Sequence, residues 1–276
     1  TIIVSAAFTG SHSVQSVDDL AYAIALGIDI AEDDNLEVTF QFNIPSANGE
    51  SGSGESAPSV IDSVKANSID SAINLMNAYV SKEINLSHCK VIVISQELAQ
   101  KGIAKEIYSL MNKVQIRPDS HLVITTSTAK KYIESVAPSL ENLVAKFYEV
   151  LPTSGDYTGY TINAELGEFF NQLLCETCEA TATLGNIVQK KEEENTSAED
   201  SSSGGTEGQS NESVSAKNGI ENLGVAVFKD DKFVGSLETE ETLAHLLLRN
   251  ELKNCNISVT DPEDSTKKID LYLTSN

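Results

Sequence analysis

Apolar residues recur with two different periods along this chain, and the change of period divides it. Ile24, Leu26, Ile28 and Ile30 alternate with Ala25, Gly27 and Asp29. After the turn residues Asp33-Asp34-Asn35, a second run sets Leu36, Val38, Phe40, Phe42 and Ile44 against Glu37, Thr39, Gln41 and Asn43. A period of two puts successive side chains on opposite faces, so the pair predicts an antiparallel hairpin of half-buried strands. A similar hairpin is predicted near the other end, where Val225–Phe228 and Phe233–Leu237 flank the polar Lys229-Asp230-Asp231-Lys232. A helix then opens at Glu238 or Thr239. Glu240 and Glu241 lie in its first turn, where the helix dipole favours negative charge, and Arg249 lies near its end. Ile257–Thr260 and Ile269–Leu273 read as two more strands.

Between the hairpins the period lengthens. Ile69, Ile73, Met76, Val80 and Ile84 have helical spacing. Val91–Ile94 and Leu122–Thr126 are continuous apolar runs, expected of strands covered on both faces. Ser95 is placed to cap a helix over Gln96–Lys113, and Thr128–Val136 predicts another, stopped by Pro138. Two such strands with a helix between them predict a βαβ unit with a parallel pair. Ser139–Leu151 and Asn163–Ala180 also read as helices, while Ser46–Ser59 is a Gly/Ser-rich loop. Lys190–Asn218 is acidic and rich in Ser and Gly, with only Ala198, Val214 and Ala216 apolar. It cannot bury enough to offset the entropy of ordering and is expected to be a disordered loop. The resulting class is mixed α+β with two domains. Segments 14–50 and 219–276 form a discontinuous first domain with the hairpins in one mixed sheet. An α/β second domain over 60–189 is inserted into it, followed by the acidic loop 190–218.

Charge narrows the partners. The chain has 276 residues, 40% of them hydrophobic, and a formal net charge of −22 from 19 basic and 41 acidic residues. Nucleic-acid binding needs clustered Lys and Arg to release counterions, so such a chain is repelled from it. The same balance argues against attachment to anionic headgroups through a basic patch. No apolar run approaches the roughly 20 residues of a spanning helix. Thr1–Gly10, TIIVSAAFTG, has no initiator Met and no basic n-region. It reads either as the trailing part of a secretory h-region or as a mature N-terminal strand or arm.

Candidate chemistry is sparse. Cys175-Glu176-Thr177-Cys178 is a C-x-x-C, the spacing of a redox dithiol or half a zinc site. No second Cys or His pair stands at ligand spacing, because His12, His88, His121 and His245 are scattered, as are Cys89 and Cys255. The motif also falls in the Asn163–Ala180 helix, where cysteines behave as small hydrophobes. Asp29, Asp33 and Asp34 lack the spacing of a calcium loop and read as a solvated turn. Gly49–Gly54 has no following Lys-Ser/Thr, so a phosphate cradle is not expected. Ser95 lacks the flanking glycines of a nucleophile elbow, and His88 beside Cys89 reads as structural. No catalytic, cofactor or metal residues are therefore expected.

Three blocks, in order, resemble the Ger(x)C family, the lipoprotein C subunits of nutrient germinant receptors in bacterial spores. The first is Leu20–Ile44, with its "GID" turn of strand and Pro45 at the end of the pattern. The second is Leu86–Ile116, where Val91, Ile92, Val93, Ile94, Glu97, Leu98, Ala99, Gly102, Ile103, Ile116 and Arg117 match. The third carries Ala226, Val227, Phe228, Lys229, Asp231, Lys232, Val234, Gly235, Leu237, Glu241 and Thr242, and departs at Ser236, where the family often has Trp.

The resemblance implies a non-catalytic lipoprotein on the outer face of the spore inner membrane. It would be lipid-anchored and would act with a multi-spanning A subunit and a transporter-like B subunit in nutrient-triggered germination. Family members typically carry a Gly-Cys junction before a segment like Asp18–Asp29; here Gly10 is followed by Ser11, which marks the lipid-anchor position where Cys is expected. The family's third, C-terminal α/β domain has no room before Asn276, so a truncated chain is expected. The alternative reading is an extracytoplasmic solute-binding lipoprotein with a cleft in its α/β part, whose acidic charge favours a cationic ligand. No internal repeat supports the two similar lobes usual in such proteins.

Overall fold

The computed structural model describes residues 19–43, 59–138, 141, 143–188, 219–264 and 266–274. Ser11, Gly49–Gly54 and the acidic segment 190–218 lie outside the described residues. The chain runs β1 (Leu20–Ile30), β2 (Leu36–Asn43), β3 (Ser59–Ala66), α1 (Ile69–Tyr79), β4 (Glu83–Asn85) and β5 (Val91–Ser95). It continues through α2 (Gln96–Lys101), α3 (Ala104–Met111), β6 (His121–Thr125), α4 (Ala129–Glu134) and α5 (Val144–Val150). Two helical turns, Leu151–Ser154 and Gly155–Thr158, precede α6 (Leu166–Leu174), β7 (Thr181–Val188), β8 (Gly219–Lys229) and β9 (Lys232–Leu237). The last elements are α7 (Thr239–Leu248), β10 (Asn254–Thr260) and β11 (Lys268–Thr274).

Both predicted hairpins form: β1 with β2, pairing Leu26 with Phe40 and Ile28 with Val38, and β8 with β9, turning at Asp230-Asp231. They share one mixed sheet of order β3-β2-β1-β5-β6-β7-β8-β9, with β4 alongside the start of β1. The predicted parallel pair β5–β6 is extended by β1 on one side and β7 on the other, all parallel. The hairpins are therefore not neighbours within the sheet. Its strands run on across the boundaries expected between 14–50, 60–189 and 219–276, because β1 takes β5 as its partner and β8 takes β7. The class is mixed α+β, and β10 with β11 makes a separate two-stranded sheet.

Helices cover both faces. Leu26, Ile28, Phe40, Ile92, Ile94 and Leu122 pack with Met76, Leu98, Ile107 and Phe169, from the side of α1, α2, α3 and α6. On the other face Ile24, Val91, Val93 and Val123 meet Tyr132, Ile133, Val144 and Tyr148 of α4 and α5. A smaller cluster of Leu243, Leu246, Leu252 and Cys255 seats α7 on the β10–β11 hairpin.

Covering both faces changes the reading of β1 and β2, which are buried along most of their length and not on one side only. Their polar alternates are used inward. Gln41, 2% exposed, accepts the Tyr148 hydroxyl at 2.8 Å, and Thr39 shares a hydrogen bond with Ser63 at 2.9 Å.

Four helices depart from expectation: the helical run expected through Ile84 ends at Tyr79, and Ile84 lies in β4. The run Gln96–Lys113 is broken at Gly102, where φ is +114°. Asn163–Ala180 is helical only over Leu166–Leu174, and among the described residues of Ser139–Leu151 the α-helix covers Val144–Val150. Strands β3 and β7 have no counterpart in the sequence reading.

Candidate functional site

In open α/β sheets the usual place for a ligand is outside the C-terminal ends of parallel strands, where successive connections leave on opposite faces. That place here is the end of β5 and β6, since α2 packs on one face and α4 on the other. It is filled by the protein's own carboxylate. Asp29, at the end of β1 and 4% exposed, accepts the backbone N–H of Ala129 at 2.7 Å and of Lys130 at 3.0 Å. Those donors belong to the first turn of α4, which also has a Thr128 cap on Lys131 N–H. The anion that a helix start attracts is thus built in. Burial raises the Asp29 carboxyl above its ordinary range, while the two N–H donors pull it back. Asp29 is a buried cap and not part of a solvated turn, a correction to the sequence reading; Asp33 and Asp34 are the exposed turn residues. Ser95 stands at the N-cap position of α2 without a side-chain bond to that helix.

The hairpin turn of the third block has a matching role. Asp231 accepts Ile103 N–H on its carbonyl at 3.0 Å and Ala104 N–H on Oδ2 at 3.2 Å, so it caps α3 from 127 residues away. A side chain at Gly102 would place its Cβ 2.6 Å from Asp231 Oδ2. Residues of the second and third blocks therefore specify each other. Phe228 is buried edge-on against Phe169, with ring centroids 4.9 Å apart. Glu241 closes a capping box with Glu238 at the start of α7, and the Thr242 hydroxyl donates to Leu237 O. These block residues are scaffold.

Charged side chains converge on a cleft of about 320 Å³ between α6 and the end of α7. Ile162, Phe169, Leu246 and Leu252 line its depth, and Asp156, Glu168, His245, Arg249, Glu251 and Lys253 surround them. Arg249 pairs with Glu251 at 2.9 Å, and Lys253 with Asp156 at 2.7 Å, tying α7's exit to the turn Gly155–Thr158. Partial burial and Glu251 raise the Glu168 carboxyl; partial burial and Arg249 lower the His245 imidazole. Both shifts oppose charge. The lining contains no Ser or Cys, and no three His, Cys, Asp or Glu among the described residues are grouped to hold a metal. The cleft offers hydrogen bonding and apolar contact to a small solute or a peptide side chain. Sequence reasoning missed it because its walls come from 155–181 and 245–253, each ordinary alone.

A second cleft, about 460 Å³, lies by the starts of β1 and β5, where Tyr22 stacks on His88 at 4.4 Å beside Lys90 and Arg117. His88 is held by that stacking. The thiols divide. Cys89 and Cys255 are buried and free, and burial pushes Cys89 up to about 12. Cys175 and Cys178 form a disulfide in the turn after α6. They are not hydrophobic positions of a helix, a second correction, because the helix ends at Leu174.

Comparison with known proteins adds to this geometry. The family model described as "Spore germination protein N-terminal domain" matches residues 13–188. The chain belongs to this spore germination family. A second model, "Spore germination B3/ GerAC like, C-terminal", matches residues 223–276, the part holding α7 and the last two hairpins. The chain is 21% identical over 260 residues to "Putative spore germination protein YfkR" of Bacillus subtilis (strain 168), covering 91% of this chain and 60% of that protein. It is 23% identical over 139 residues to "Spore germination protein KC" of the same organism, covering 49% and 34%. It thus spans about 60% of the length of YfkR. Among solved structures, "Crystal Structure of the GerBC protein" aligns with a TM-score of 0.38 and 14% identity, over 86% of this chain and 58% of that one. No helix among the described residues is long and apolar enough to cross a membrane.

Proposed function

We propose that this GerAC-type germination protein is a non-catalytic subunit of a spore nutrient germinant receptor. It acts on the outer face of the inner membrane with the A and B subunits, and position 11, occupied by Ser in this sequence, is where the family's lipid-bearing Cys would stand. The observation carrying this reading is the succession of both family models, 13–188 and then 223–276, along one chain. The fold agrees with a scaffold role: the usual ligand position of the sheet is occupied by Asp29, and the blocks shared with the family cap helices and fill the core. Affinity capture from spore membranes tests it. Co-purification of the A and B subunits is expected, and their absence under conditions that preserve the receptor would refute it.

The cleft between α6 and α7 favours a second reading, in which the chain itself binds a small solute. Calorimetric titration of candidate nutrients separates the two. Saturable heat with the isolated chain, lost in Arg249→Ala, favours solute binding; no heat leaves the assembly role.

A further inference from the structure

The Cys175–Cys178 disulfide closes a four-residue loop at the end of α6, with Cys178 exposed and Cys175 half-buried. The other two thiols of the chain, Cys89 and Cys255, are buried. The loop is bracketed by structure on both sides. Toward the cleft, Gln172 accepts Cys175 N–H on its carbonyl at 3.2 Å and Thr181 N–H on its side chain at 3.0 Å. Both Gln172 and Thr181 line the cleft wall. Toward the β8–β9 turn, Glu179 Oε2 accepts Asp230 N–H at 3.3 Å, and Ala180 O accepts Phe228 N–H at 3.0 Å.

Placement decides which side of an exchange reaction this pair can serve. Dithiols that attack other disulfides gain their low pKa from a helix N-terminus or nearby cations. Cys175 and Cys178 follow the C-terminal end of α6, where the dipole disfavours a thiolate. The pair is unactivated as an attacking dithiol, yet as a disulfide it is open to attack. We infer that Cys175–Cys178 is an exchangeable modification site, reduced in the folded protein by a dithiol reductant, and that its opening loosens the α6–β7 wall of the cleft. A thiolate of the reductant attacks the more exposed Cys178 Sγ. The S–S bond breaks, Cys175 leaves as thiolate and takes a proton from solvent, and a mixed disulfide remains. The reductant's second thiol then displaces Cys178. The protein disulfide is reduced by two electrons, and the dithiol is oxidised to its own disulfide. Neither cysteine enters the receptor reading, so this chemistry stands whether or not that reading holds.

The folded chain treated with dithiothreitol, then trapped with N-ethylmaleimide, is expected to gain two adducts by intact mass, mapped to Cys175 and Cys178. Oxidised dithiothreitol should reverse the change. Absence of adducts until denaturant is added, or labelling of all four cysteines together, would overturn the exchange site. Hydrogen exchange reads the coupling: amides over 172–181 should exchange about tenfold faster after reduction. The variant C175S/C178S should show the same pattern without reductant. An unchanged pattern in both would sink the coupling to the cleft while leaving the labelling result to decide the exchange site.

Discussion

Asp29 Oδ1 lies 2.7 Å from the backbone nitrogen of Ala129, a hundred residues further along, and fastens the end of β1 to the start of α4. Asp29→Ala removes the acceptor for two N–H groups at a buried helix start. A loss of about 2 kcal/mol is expected by urea unfolding.

The same carboxyl sets a pH dependence. Burial holds it above its ordinary 3.8, the effect of desolvation outweighing the two N–H donors. The unfolded chain therefore releases this proton at lower pH than the folded one does. Stability linked to Asp29 is full below 3.8 and declines as pH rises through the folded value. Asp29→Asn abolishes that titration. Wild-type stability minus that of D29N, measured from about pH 3 to pH 7, should fall with rising pH; a flat difference would contradict the raised value.

Gly102 and Asp231 form a pair whose coupling is measurable. Gly102→Ala puts a Cβ 2.6 Å from Asp231 Oδ2 on a backbone with φ +114°, and roughly 1–2 kcal/mol of destabilisation is expected. Asp231→Ala loses the α3 cap, about 1 kcal/mol. In the double variant the steric part disappears, so the two losses should sum to less than their separate values.

Gln41 and Tyr148 are buried partners across the β2–α5 interface. Tyr148→Phe leaves the Gln41 oxygen without its donor and is expected to cost about 1 kcal/mol or more. Gln41→Leu with Tyr148→Phe removes both polar ends, and its thermal midpoint should lie closer to wild type than that of Y148F alone.

Lipid attachment is testable at one position. In a version of the protein carrying a secretory leader and Ser11→Cys, metabolic labelling with a fatty acid should mark the protein and send it to the membrane fraction. Exported, leader-processed protein that stays unlabelled and outside the membrane fraction would remove residue 11 as the anchor.

The sequence carries the hairpins and the apolar strands because their signal is local: alternation in Leu36–Ile44, an unbroken run in Val91–Ile94. Strand β3, SVIDSVKA, hides its character at a sheet edge where only Ala66 is fully buried. Strand β7, TATLGNIV, is diluted by Gly185, whose missing side chain makes room for Tyr132 and Val123. The break between α2 and α3 and the cap on α4 depend on acceptors 127 and 100 residues away, Asp231 and Asp29, which no local window contains. The cleft is invisible for the same reason, since Glu168 and Arg249 become neighbours only when α7 docks.

The grip of Asp231 on the start of α3 bears on how relatives can recombine. A hybrid taking its front from one germination protein and its rear from another inherits residue 102 from one parent and residue 231 from the other. Where the front parent has outgrown glycine there, an acidic rear partner becomes an obstacle, so viable crossovers should keep the two together as a heritable unit.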